Sequence, residues 1–145
     1  MKSINAILTV LIIGCIFLVA FSMSDRPPTE KFENSPILMQ VREYFGLLNK
    51  KYTRIPLREG SSSYTEDKSL IVLCLKDPET GEYYDMNTIM YVALHELAHV
   101  ISKKYDDNHG PEFQKNFSKL LQAGAAHGIY DPSKSIAKNY CGIDS

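Results

Sequence analysis

The sequence predicts an α+β fold, a small sheet combined with separate helices. Two observations carry that expectation. Apolar residues recur at helical spacing in three stretches. Between the first two lies a short run of branched apolar residues, 69–76 (SLIVLCLK), of strand length. At 145 residues the chain suits one folded domain with one modest core.

The first element is apolar. Residues 4–21 (INAILTVLIIGCIFLVAF) contain no charge. As a helix they would rise about 27 Å, close to the hydrocarbon thickness of a bilayer. Residues 1–22 are therefore expected to be a transmembrane anchor, making this a single-pass membrane protein. The alternative is a signal segment, because Ala20-Phe21-Ser22 offers a small-x-small cleavage pattern. The protein would then be secreted. Residues 23–34 read as a polar linker stiffened by Pro27-Pro28, and the folded domain is expected to span 35–145.

Ser35-Pro36 joins an N-cap hydroxyl to a proline at the first helical position. Ile37, Leu38, Val41, Tyr44, Phe45 and Leu48 form the stripe of that helix, which should end near residues 49–51. Residues 53–59 suggest a short strand that Pro56 confines to an edge. Residues 60–63 form a loop, and 69–76 give the strongest strand signal. Residues 77–81 close that strand with turn chemistry. A second helix is expected over 87–103, capped by Asp85 or Asn87. A third begins at Pro111, turns Phe113, Phe117, Leu120 and Leu121 inward, and ends at Gly124. The remainder, 125–145, reads as mostly irregular, with His127 at the surface. Cys74 is either a buried thiol in the strand or, in an extracytoplasmic domain, the partner of Cys141.

The formal net charge is −1 and no Lys/Arg cluster is present. That argues against nucleic acid as a partner, since such binding depends on contacts to phosphates. Three cysteines are too few for a dense disulfide scaffold.

The second helix contains His95-Glu96-Leu97-Ala98-His99, an H-E-x-x-H sequence. Positions i and i+4 share a helix face, so both imidazoles reach one metal ion. Glu96 sits beside them, placed to take a proton from water rather than to bind the metal. A catalytic zinc usually has three protein ligands and an open position. His109, ten residues beyond His99, is the best third ligand. The polar stretch 105–108 lets the chain reverse, Gly110 permits an unusual backbone angle, and Pro111 starts the next helix. Asp106, Asp107 and Glu112 are the alternatives. A metzincin spacing is excluded because Tyr105 stands where its third histidine would be. One Zn2+ per chain is expected, with peptide hydrolysis as its chemistry. The strand at 70–75 is expected to lie along the cleft and pair with an extended substrate. Tyr105, Tyr130 and Tyr140 are candidates for stabilising the oxyanion. The alternative function is a catalytically inactive metal-binding or scaffold membrane protein.

Residues 95–99, followed after a short turn by His109-Gly110-Pro111-Glu112-Phe113, resemble the SprT-like (Spartan-related) zinc metallopeptidases. Their motif is H-E-x-x-H, a variable spacer, then H-G-x-x-F. The WLM metallopeptidases are a neighbouring group. The resemblance covers residues 70–121. It implies a minimal zincin-like metallopeptidase domain, zinc held by His95, His99 and His109, and Glu96 as general base. It also implies Phe113 packed beneath the third ligand and a protein or peptide as substrate. The spacer is shorter than is usual in that group, and neither a zinc ribbon nor a basic stretch is present. The DNA-directed role of some members is therefore not part of the expectation.

Overall fold

A computed structural model describes residues 35–103 and 109–142. The chain divides into two units, Met1–Lys31 and Phe32–Ser145, and all described residues belong to the second. The helices are α1 (Pro36–Leu48), α2 (Met86–Ile101) and α3 (Pro111–Ala126). The strands are β1 (Leu57–Glu59), β2 (Tyr64–Glu66) and β3 (Leu70–Leu73). The α+β expectation holds. Among the described residues, however, no helix is long and apolar enough to cross a membrane. The expectation of a single-pass membrane protein is corrected on that finding, and residues 4–21, on which it rested, lie outside the described residues.

The sheet has the order β1-β3-β2. β3 runs parallel to β1 and antiparallel to β2. Its residues Ile71, Val72 and Leu73 are buried to 1% exposure or less. A strand covered on both faces reads as a continuous apolar run rather than an alternating one. β1 lies at an edge, as Pro56 requires: Ile71 N–H donates to the Pro56 carbonyl (3.0 Å), and no donor is needed from the proline. A central β3 has no free edge, so the expected pairing of residues 70–75 with a substrate is corrected. The edge on the α2 side is β2.

β2 falls where no strand is expected, because three residues are too few to display alternation. It turns into β3 through Asp67 (φ 47°) and Lys68 (φ 53°), with Ser69 N–H donating to the Glu66 carbonyl (3.0 Å). Three residues, 67–69, thus connect the paired Glu66 and Leu70, and the two central residues of the turn are left-handed without the usual Asn-Gly. Upstream, residues 50–54 form a 3-10 turn rather than the start of a strand, with the Asn49 side chain accepting from Lys51 N–H (3.0 Å).

One core joins the three helices and the sheet. Phe45 and Val41 of α1 meet Leu57, Ile71 and Leu73 of the sheet, Leu94 and Leu97 of α2, and Phe113 of α3. Each fully buried side chain of this size contributes about 1.5–3 kcal/mol. Two expectations about helix ends are corrected. The Ser35 hydroxyl makes no capping bond and has no partner among the described residues. Gly124 lies inside α3, where a Cβ would stand 3.1 Å from Leu94 Cδ1, so it permits close approach to α2. The chain instead turns left-handed at Gly128 (φ 69°).

The segment after α3 is irregular, as expected, but firmly docked. The Asn87 side chain accepts from Asp131 N–H (2.7 Å) and donates to the Asp131 carbonyl (3.2 Å). Ala137 N–H donates to Thr88 Oγ1 (3.2 Å), and Cys141 N–H to the Tyr84 phenol (2.8 Å). Cys74 and Cys141 form a disulfide, which resolves the two readings of Cys74. Around Cys74 the hydrogen bonds close a ring. Its N–H donates to Ser63 Oγ (2.9 Å), Ser63 joins Tyr140 Oη (2.9 Å), and Tyr140 donates to the Cys74 carbonyl. Side chains thus satisfy the backbone where the β3 ladder stops.

Candidate metal centre

The centre is carried by α2. Asp85 caps this helix, accepting from Thr88 N–H (3.0 Å) and from the Thr88 hydroxyl (2.6 Å). Its inner face, Ile89, Met90, Ala93, Leu94, Leu97 and Ala98, is fully buried. At the other end Lys68 Nζ donates to the Ser102 carbonyl (2.6 Å), a cation at the negative end of the helix dipole. The helix is therefore fixed at both ends and along one side. His95 and His99 emerge half-buried one turn apart, and Glu96 is buried with 6% of its surface exposed.

His109 arrives from the other direction, immediately before α3. It is His109 itself, not Gly110, that takes a left-handed backbone (φ 53°). Gly110 is extended and caps α3, whose first residue is Pro111. A left-handed conformation costs a non-glycine residue about 1–2 kcal/mol. Gln114 Nε2 donates to the His109 carbonyl (3.2 Å), which helps hold that conformation.

The three imidazoles converge. His109 Nε2 lies 3.1 Å from His95 Nε2 and 3.2 Å from His99 Nε2. The ligating nitrogens of the three histidines all fall within 4.8 Å of one another, close enough to bind one metal ion. Phe113, 3% exposed, floors the cluster, with its ring centroid 4.9, 4.4 and 4.5 Å from those of His95, His99 and His109. Phe117 stands 5.1 Å from His95 on the same side.

Burial, then the neighbouring His99 and His109, lowers the His95 pKa to about 4. The ring is thereby kept neutral, with its lone pair available to a metal. Burial raises the Glu96 carboxyl to about 7, while a hydrogen bond from Thr65 works in the opposite direction. Thr65 Oγ1 lies 2.9 Å from Glu96 Oε2 and 2.9 Å from the Glu96 carbonyl oxygen.

The four residues expected to carry the chemistry, His95, Glu96, His99 and His109, are thus brought together. The alternative ligand Glu112 is not among them; its carboxylate accepts from Lys103 N–H (3.2 Å), linking the end of α2 to the start of α3. Asp106, Asp107 and Tyr105 lie outside the described residues. Tyr140 is buried in the Cys74 ring, its phenol pushed up to about 12 chiefly by burial, so it is not free to serve an oxyanion. Tyr130 packs on Tyr91, with ring centroids 5.9 Å apart. Two side chains at the site, Thr65 and Phe117, had no predicted role there. Thr65 carries no motif signal, and Phe117 was expected only as an inward-facing residue.

Three viral proteins align with most of the chain. Uncharacterized protein 136R of Invertebrate iridescent virus 6 is 38% identical over 113 residues, 73% of this chain and 62% of that protein. Uncharacterized protein 042R of Invertebrate iridescent virus 3 is 41% identical over 92 residues, 63% of this chain and 57% of that protein. Uncharacterized protein R325 of Acanthamoeba polyphaga mimivirus is 33% identical over 124 residues, 77% of this chain and 59% of that protein. The chain therefore spans less than two thirds of the length of each of these relatives. No protein-family model matches the chain, and no solved structure does. The names of these three proteins state no activity.

Proposed function

We propose that the protein is a zinc-dependent peptidase with a minimal zincin-like domain, as the resemblance to the SprT-like group implies. The observation that carries this reading is the convergence of three histidine nitrogens beside a tethered, buried glutamate. Tetrahedral zinc with Zn–N bonds of about 2.0–2.1 Å sets its ligand nitrogens about 3.3 Å apart. The two Nε2 separations of 3.1 and 3.2 Å fit that donor set. His95, His99 and His109 would hold the ion, which supplies a Lewis acid for water and for the substrate carbonyl.

The chain's own groups supply the remainder. Glu96 accepts a proton from the attacking water and returns it to the leaving amine. A cation at the histidines favours the ionised form of Glu96, countering its burial. Among the described residues β2 is an edge strand, which provides a place for an extended peptide to add a strand.

The test uses the full chain with fluorescein-labelled casein as substrate and elemental analysis for metal. About one zinc per chain is expected, lost in His95→Ala and retained in Glu96→Gln, with hydrolysis abolished in both. Zinc bound without hydrolysis in the wild type would leave a metal-binding protein and remove the peptidase.

A further inference from the structure

We propose that Thr65 is the positioning residue that aims the Glu96 carboxylate, an inference that rests on the peptidase reading above. Glu96 has a long side chain with three torsions, and burial by itself does not select among its rotamers. Among the described residues its carboxylate has one hydrogen-bond partner, the Thr65 hydroxyl, at 2.9 Å from Oε2. The same hydroxyl lies 2.9 Å from the Glu96 carbonyl oxygen, so its single proton stands between the two acceptors of that residue. The other carboxylate oxygen, Oε1, has no hydrogen-bond partner among the described residues, on a residue that keeps 6% of its surface exposed. One oxygen is tethered and the other keeps its lone pairs unclaimed by any described residue, which is what a proton acceptor needs.

The tether is itself fixed. Thr65 is β-branched and therefore stiff about χ1. Its register partner is Ile71, fully buried in the central strand. The left-handed turn at Asp67 and Lys68 sets that register from one end of β2. From the other end, Ser63 is held in the ring with Tyr140 and Cys74. Placement thus passes from the core through β3 and β2 to Oε2. β2 is short, but it ties the catalytic carboxylate to the sheet.

The test compares zinc-loaded full-length wild type, Thr65→Val, Thr65→Ser and Glu96→Gln on fluorescein-labelled casein, with zinc content and melting temperature measured alongside. Valine keeps the shape of threonine and removes the hydroxyl; serine keeps the hydroxyl. Thr65→Val is expected to lower kcat by about 10–100-fold, the scale of a misplaced catalytic group. KM and zinc content should stay unchanged, and Thr65→Ser should recover kcat to within about threefold of wild type. A crystal structure of Thr65→Val should find the Glu96 carboxylate displaced. An unchanged kcat in Thr65→Val overturns the proposal, as does a loss that comes with zinc loss or that serine does not recover. Wild type no faster than Glu96→Gln overturns the peptidase reading and this role together.

Discussion

The centre draws its histidines from two regions of opposite character. His95 and His99 come from the interior of α2, a helix capped by Asp85, buried on one face and held by Lys68 at its end. There the regular helical repeat brings two ligands onto one face without strain. His109 comes from an exposed position ahead of α3, in a left-handed conformation that costs energy. Regular structure thus provides two thirds of the ligand set, and a strained residue completes it. Strain of this kind is tolerated where the surroundings over-determine the backbone, here Gln114, Pro111 and Phe113.

The most severe way to break this comparison is to remove a ligand from either region. His95→Ala and His109→Ala should each reduce bound zinc from one per chain to none by elemental analysis, with affinity falling on the order of 100-fold or more, beyond the 10–100-fold seen for outer-shell losses. The disulfide comes next. It closes a loop across a sequence separation of 67 residues, for which chain entropy suggests about 4 kcal/mol and experience about 2–4. Cys141→Ser should therefore lower stability by about 2–4 kcal/mol in urea titrations, because the docked segment is released from Asn87, Thr88 and Tyr84.

Asp85→Ala should cost about 1 kcal/mol by losing the cap of α2, measured on the metal-free protein. His109→Gly sharpens the contrast. It should abolish zinc binding yet raise metal-free stability by up to about 1 kcal/mol, as left-handed strain is relieved. His95→Gly in the helix should instead lower it by at least about 1 kcal/mol.

The smallest effect, in the wild type, concerns pH, because two slopes cancel there. His95 binds its proton near 6.5 when unfolded but only near about 4 in the fold, so metal-free stability falls as pH drops through that window. Glu96 keeps its proton to about 7 in the fold but releases it near 4.5 when unfolded, so metal-free stability falls as pH rises through that window. The two slopes oppose each other where the windows overlap. Glu96→Gln should remove the second, giving a metal-free protein whose melting temperature climbs more steeply than wild type as pH rises from about 4.5 to 6.5. An unchanged profile would count against the burial of Glu96.

Much of this was legible in the sequence because it depends on local repeats. The i, i+4 spacing of His95 and His99, the apolar run through Val72, and Pro111 after His109 each state their structure in a few adjacent residues. What was not legible depends on contacts between distant segments. Thr65 reaches Glu96 across 31 residues, and Tyr140 reaches Cys74 across 66. Neither leaves a periodic mark. The β2–β3 turn escaped notice because Asp67-Lys68 adopts a conformation usually flagged by Asn-Gly. Gly124 misled in the opposite way: a glycine near a helix end suggests a terminus, but here it makes room for Leu94.

The ring at Cys74 has a consequence for hydrogen exchange. The Cys74 amide lies beyond the β3 ladder, where amides ordinarily exchange with solvent deuterium early. Its proton, however, is held by a hydroxyl that is itself bonded to a buried phenol next to a covalent crosslink. Exchange there requires residues 140–142 to lift away, so this amide should rank with those of the sheet interior in the oxidised protein. Reduction should move it to the fast class while leaving Val72 and Leu73 slow, making one amide a reporter of the thiol state of the whole domain.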